Sequence, residues 1–303
     1  MKQNTIFFYA LDPTHIGAGG YRLGRVDNTV MRDAGSNLPK IPGSSISGAC
    51  RSAAIYSLPE TERAQAMVYA RETLDKQNTE RTHRGGQDPI AKVFGFAEGD
   101  EKGTSQIGMV SFRDAHIFAF PVSTMNGPRW VTTVSRLNEA GCKNVPVPKN
   151  ETEVLTQKQE NTSSRLNIGW LLLDTKAEDI PFPQALLDYD LILMQRIEKA
   201  LLVVDENLFA SIINANLEVR TSVSIDFETG AGVDGALFTY EAVPRGTLYQ
   251  SAVCFDDDRY PEQASSAPEL VKKAMALATQ LGLGGMTTRG FGRMQAIWEE
   301  VDA

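Results

Sequence analysis

The segment Gly282-Leu283-Gly284-Gly285-Met286-Thr287-Thr288-Arg289-Gly290-Phe291-Gly292-Arg293 decides how the rest of the chain is read. Before it, Leu270, Ala274, Leu277, Ala278 and Leu281 recur at helical spacing, behind Ser266-Ala267-Pro268-Glu269, a capping-box pattern with proline in the first turn. Gly282 is the glycine expected past a helix C-terminus, and Arg293–Val301 reads as a closing strand. A glycine-rich link between helix and strand is one reading of the segment. A nucleic-acid contact is the other, built from a freely turning backbone, hydroxyl donors, two guanidinium groups and an aromatic, Phe291, able to stack on a base.

A second glycine stretch, His15-Ile16-Gly17-Ala18-Gly19-Gly20, leads toward Pro42-Gly43-Ser44-Ser45-Ile46-Ser47-Gly48. The spacing of Ile46, Ala49, Cys50, Ala53 and Ala54 predicts a helix whose N-cap hydroxyls come from Ser44 and Ser45. Unsatisfied N–H groups and the positive dipole end at Pro42–Ser45 suit a phosphate, with Arg51, off the apolar stripe, as a second contact; an ordinary cap is the competing reading.

Outward from these segments, residues 5–10 read as a first strand, 60–78 as a helix, 83–89 as a polar loop, and 107–112 and 116–122 as strands. Residues 142–164 are polar and carry Pro146 and Pro148, which predicts an irregular insertion. Residues 217–227 and 236–243 flank Glu228–Gly235, whose three glycines predict a long hairpin, and 246–255 adds a strand. The order suits an α+β sheet with helices on one face.

The chain has 303 residues, 42% hydrophobic and 22% charged, which fits a folded globular protein. No apolar run is long enough for a signal-peptide core or a membrane span, so a cytoplasmic location and no membrane partner are expected. Three cysteines, Cys50, Cys142 and Cys254, fit neither a disulfide framework nor a zinc site. The net charge of −8 argues against a free-standing nucleic-acid binder, yet residues 1–51 hold six basic side chains against three acids.

Among those three acids, Asp27 is surrounded by Arg22, Arg25 and Arg32. An exposed acid there suits a divalent cation or the positioning of a ribose 2′-OH; a salt bridge to Arg25 or Arg32 is the alternative. Of the histidines, His15 beside Gly17 and Gly19 is the functional candidate, His116 reads as a core residue, and His83 lies in the polar loop.

Taken in order, several motifs resemble the RAMP superfamily of CRISPR proteins, and within it the repeating backbone subunits of type III-B Cmr complexes. These are His15-x-Gly17-x-Gly19 with Asp27; Leu38-Pro39-x-Ile41-Pro42-Gly43-Ser44-Ser45-Ile46-x-Gly48-x-x-Arg51; Val93-Phe94-Gly95; Gly108-x-Val110-x-Phe112-x-Asp114-Ala115; Phe120-Pro121-Val122; Leu237-Phe238-x-x-Glu241-x-Val243-Pro244; and Leu283-Gly284-Gly285-x-x-Thr288-x-Gly290-x-Gly292-Arg293.

The resemblance implies one RAMP domain over 1–303: an RRM-like, ferredoxin-like palm with inserted loops and a β-hairpin thumb at 219–243. It implies a filament of copies along a guide CRISPR RNA, with other effector subunits as partners, cutting complementary target RNA by metal-dependent endoribonuclease action. Asp27 would be the catalytic residue and ligand of a divalent metal, magnesium or manganese. His15, Gly17, Gly19, Arg22, Arg25, Ser44, Ser45, Arg51, Gly284, Gly285, Thr288, Arg289, Gly290, Gly292 and Arg293 would contact RNA. A non-catalytic scaffold, a Csm-type backbone subunit, and a stand-alone, metal-independent processor of guide RNA using His15 and Tyr21 are the other readings. The chain departs from the family pattern at Asn28-Thr29, where a proline usually follows the aspartate, and at Ser47, where many relatives carry lysine.

Overall fold

A computed structural model describes residues 2–19, 26–72, 88–95, 107–158 and 163–299. Its strands are β1 (Lys2–Ala10), β2 (Lys40–Ile41), β3 (Val110–Phe112), β4 (Ala115–Thr124), β5 (Gly127–Thr132), β6 (Glu153–Gln157), β7 (Arg165–Ile168), β8 (Leu171–Glu178), β9 (Leu201–Val203), β10 (Glu218–Ile225), β11 (Gly232–Ala242), β12 (Leu248–Phe255) and β13 (Met294–Trp298). Its helices are α1 (Gly43–Tyr56), α2 (Glu60–Glu72), α3 (Pro89–Phe94), α4 (Val134–Glu139), α5 (Gln184–Tyr189), α6 (Leu191–Lys199), α7 (Glu206–Ala215) and α8 (Ala267–Leu281). This is a mixed α+β architecture. Among the described residues no helix is long and apolar enough to cross a membrane.

One large sheet runs in the order β13-β1-β12-β4-β5-β9-β6-β8-β7, with β2 on β4 and β3 on β12. Most neighbours are antiparallel; β5 with β9 and β6 with β8 are parallel. Side chains alternate between faces along a strand, and here both faces are apolar. In β1, Ile6, Phe8 and Ala10 join one core with α1, α7 and α8, while Phe7 joins a second core with α4, α5 and α6. The expectation of helices on one face is therefore corrected. A strand reading Ile-Phe-Phe exposes oil on both sides, and each side needs its own cover.

Other local expectations shift for similar reasons. The 142–164 segment is not irregular throughout: β6 lies inside it, between β9 and β8, with Val154 and Leu155 buried. Its apolar pair is too short to stand out among polar flanks. The helix expected over 60–78 is described as far as Glu72, and 73–78, like His83, lie outside the described residues. Ser266 is the N-cap of α8 but makes no capping bond, because its hydroxyl turns back to Gln263 in the preceding turn. His116 is exposed on β4 rather than part of the core. All three cysteines are free, and burial pushes the Cys50 thiol up to about 12.

The expected hairpin is the separate ribbon of β10 and β11, running from Glu218 paired with Ala242 to Ile225 paired with Gly232. At its tip the Asp226 carboxylate accepts hydrogen bonds from the backbone of Glu228 and Thr229 and from the Thr229 hydroxyl. Its base packs through Tyr240 and Ala242 onto Phe291 of the terminal glycine loop.

Candidate nucleic-acid interface

The two glycine segments, far apart in sequence, meet at the hairpin base. Gly285 N–H donates to the His15 carbonyl at 2.9 Å, and Gly292 N–H to the Pro13 carbonyl at 2.9 Å. Thr14 and Val243 exchange backbone bonds of 2.8 and 2.9 Å, stitching the same stretch to the end of the hairpin. Gly284 sits at φ +96°, and a Cβ there would lie 2.5 Å from the His15 carbonyl oxygen, so glycine is required by both conformation and approach.

His15 itself is 5% exposed, with Nδ1 2.6 Å from the Glu241 carbonyl. A carbonyl only accepts, so Nδ1 carries the proton and the ring braces the first glycine segment against β11. Gly17 bridges to Val30 and packs beside that ring, and Gly19 follows at φ +71°. Arg22, Arg25 and Tyr21 lie outside the described residues.

Asp27 stands on the outer side of the hairpin base. Its Oδ2 accepts from Thr239 N–H at 2.7 Å and from the Thr239 hydroxyl at 2.9 Å, and Asp27 N–H reaches the Thr239 oxygen at 3.1 Å. Asn28 continues the contact by bridging to Tyr240. The Thr239 backbone bond, with its hydroxyl behind it, holds the Asp27 carboxyl below the usual aspartate range, so it is ionised at neutral pH. Of the two arginines able to pair with Asp27, the described one, Arg32, is committed elsewhere: to Glu241 at 2.9 Å, and to Asn214 and the Val30 carbonyl at 3.1 Å each.

The start of α1 is built differently from its expected form. Pro42 is the N-cap and has no capping side chain of its own, which corrects the assignment of Ser44 and Ser45 as capping hydroxyls. The reason is a carboxylate supplied from β4's approach: Asp114 accepts from Gly43 N–H at 2.8 Å and pairs with Lys40 at 2.7 Å. The Lys40 and Gly43 bonds depress the Asp114 carboxyl below its ordinary range. An anion thus already occupies this helix terminus, with Ser44 exposed and Ser45 half-buried beside it. Arg51 lies half-buried on α1 and makes no hydrogen bond or ion pair among the described residues.

In the terminal loop, Thr288, Arg289 and Gly290 are exposed on a single turn, with the Arg289 guanidinium 5.9 Å over the Phe238 ring. Phe291 corrects another expectation, since at 1% exposure it has no face for a base. Tyr240 meets it edge-on at 5.5 Å, and the Arg220 guanidinium covers it at 4.9 Å. Arg293 is bound to Asp12 by two hydrogen bonds of 2.5 and 3.1 Å. The sequence reading missed Thr239 and Tyr240 as site-forming residues; the only signal was their place inside Leu237-Phe238-x-x-Glu241.

The arrangement therefore joins the two glycine segments at the hairpin base, where neighbouring residues of β11 hold an ionised, accessible carboxylate, Asp27 on Thr239, and an exposed cation, Arg289 over Phe238. The chain is similar to the CRISPR system Cmr endoribonuclease Cmr4 of Pyrococcus furiosus, 24% identical over 318 aligned residues that cover 99% of this chain and 97% of the relative. In fold it is similar to a chain of the type III-B Cmr-beta complex bound to cognate target RNA, with a TM-score of 0.65 at 18% identity over 98% of this chain and 97% of the other. It is also similar to oligomeric Cmr4 from Pyrococcus furiosus, with a TM-score of 0.58 at 18% identity over 99% and 100% of the two chains. The profile of the RAMP superfamily matches residues 7–295, and the chain belongs to that superfamily.

Proposed function

We propose that this chain is an RNA-binding backbone subunit of a type III-B CRISPR ribonucleoprotein in the cytoplasm, and that it cuts target RNA paired to the guide. Copies stack along the guide beside other effector subunits. The strands β13-β1-β12-β4, with α1 after β1 and α8 before β13, form an RRM-like palm in this reading, and β10 with β11 form the thumb. Full-length likeness to a relative named as a Cmr endoribonuclease supports the class of activity.

The observation that carries the catalytic part is Asp27, an exposed, ionised carboxylate clamped to the hairpin base by Thr239. Among the described residues no three His, Cys, Asp or Glu side chains gather into a metal cage. The fit is to a hard cation held jointly by Asp27, waters and RNA phosphate, as magnesium commonly is. Such an ion would stabilise charge on the phosphate under attack. In this reading Thr288, Arg289 and Gly290, all exposed, hold the RNA backbone.

The test is target cleavage by the complex reconstituted with wild-type chain or with Asp27→Ala, with magnesium, manganese or EDTA. Loss of cutting with assembly and guide binding intact is expected. Unchanged cutting by the variant would remove Asp27 from the mechanism, and cutting in EDTA would remove the metal.

A further inference from the structure

Residues 26–32 lie along the hairpin base as a strap beside β11. Asn28 N–H donates to the Thr239 carbonyl at 3.1 Å, and Glu241 N–H donates to the Asn28 carbonyl at 3.0 Å. Along its other edge the strap accepts Ala18 N–H at the Thr29 carbonyl and donates Met31 N–H to Ile16. Backbone bonds are alike at every residue, so they do not choose a register. Buried Val26 and Val30 decide which face of the strap turns inward, a choice that a slip of two residues would preserve. A slip of one residue would turn the Asp27 carboxylate to the opposite face. Side chains whose partners match in only one register have to settle the rest.

Arg32 makes such a match. Its side chain and that of Glu241 are each 15% exposed, and Nη2 donates to Glu241 Oε2 at 2.9 Å. Nη1 donates to the Val30 carbonyl at 3.1 Å, and the same Glu241 oxygen accepts Val30 N–H at 3.3 Å, so the pair holds both backbone groups of Val30. Nε donates to Asn214 of α7 at 3.1 Å, and α7 is seated in the larger core through Phe209, Ile212 and Ile213. One end of the strap is thus tied to the hairpin and to a fixed helix, while Asp27 at the other end meets Thr239. Thr239 and Glu241 stand two residues apart on β11 and share a face, so one strand grips both ends. A mostly buried ion pair adds little net stability, and its best-attested use is to fix a register.

We infer that Arg32 is a positioning residue for Asp27: its guanidinium, held between Glu241 on β11 and Asn214 on α7, sets the register of the strap against the hairpin and so the place of the carboxylate. The inference rests on the reading of Asp27 as the catalytic residue. Lysine cannot replace arginine here, because an ammonium is a point charge and the three acceptors match the planar fork of a guanidinium.

The test is single-turnover cleavage of complementary target RNA by the reconstituted complex, with target affinity measured alongside. Arg32→Lys is expected to slow cutting at saturating target by about ten- to a hundredfold, as small misplacements of reacting groups do, with target affinity unchanged. Combined with Thr239→Val, it is expected to cost less than the product of the two separate effects, because both changes release the same strap. A wild-type rate in Arg32→Lys while Asp27→Ala is inactive would overturn the inference and leave the reading of Asp27 standing. Multiplicative effects in the double variant, or a loss of target affinity in proportion to the rate, would make Arg32 an ordinary structural residue and also overturn it. Wild-type cutting by Asp27→Ala would overturn both. Where Arg32→Lys does not assemble, Asn214→Ala, which frees only Nε, decides: a smaller loss of rate at unchanged affinity supports the inference, and a wild-type rate overturns it.

Discussion

Asp27 and Thr239 grip each other at three points: Oδ2 takes the Thr239 N–H at 2.7 Å and its hydroxyl at 2.9 Å, and the Asp27 N–H returns to that hydroxyl oxygen at 3.1 Å. The clamp fixes where the carboxylate points without burying it. Thr239→Val keeps the shape and the backbone bond but removes the hydroxyl. Target cleavage is expected to fall by up to about a hundredfold, as small misplacements of reacting groups commonly do, with Thr239→Ser recovering most of it. Single-turnover rates in the assembled complex measure both.

The same contact sets a pH dependence. The Asp27 carboxyl titrates below the usual aspartate range because Thr239 bonds favour its charged form. A depressed folded pKa means that the contribution to stability is fully present above the unfolded value and is lost as pH falls through the folded one. Carboxyl chemical shifts followed by NMR should place the Asp27 midpoint below that of ordinary aspartates, and Thr239→Val should move it upward.

Gly284→Ala asks an L-residue to adopt φ +96° with its Cβ 2.5 Å from the His15 carbonyl oxygen. The change is expected to destabilise the fold by about 1–3 kcal/mol and to loosen the junction of the two glycine segments. Urea denaturation gives the first quantity. Faster amide exchange at Gly285, which donates to His15, reports the second.

Phe291 is buried against Tyr240 and under Arg220. Phe291→Ala is expected to cost about 3–5 kcal/mol, as a large core truncation does, whereas removing a ring that only stacked on RNA would leave the free protein's stability unchanged. Thermal unfolding without RNA separates the two.

Asp12 and Arg293 form an ion pair in which the arginine is largely exposed, so Asp12→Asn is expected to change stability by no more than about 1 kcal/mol. Freed of its carboxylate, Arg293 should bind RNA phosphate more tightly, seen as a steeper salt dependence. Unchanged binding would mean that Arg293 serves only to hold Asp12.

Residue order alone is enough for the helices and strands that carry a strong period and a clear stop. Helix α8 ends at Gly282 as its glycine requires, and the hairpin lies on both sides of the three-glycine tip. The order of motifs pointed to the RAMP superfamily, to which the chain belongs. Local chemistry makes Asp27 and the two glycine segments candidates beside an ordinary salt bridge, cap or turn, and it is the resemblance to the superfamily that singles them out.

What those residues touch is a matter of how distant segments pack. Helix periodicity placed α1, but not the Asp114 carboxylate that takes its first N–H from across the fold. Composition made Phe291 a candidate for stacking, but burial depends on Tyr240 and Arg220, distant in sequence and brought together by the hairpin base. The partner of Asp27 lies 212 residues away, and no local pattern specifies a hydrogen bond across that span. Short-range preference writes the elements; which donors, rings and charges meet is set by how the sheet and hairpin pack.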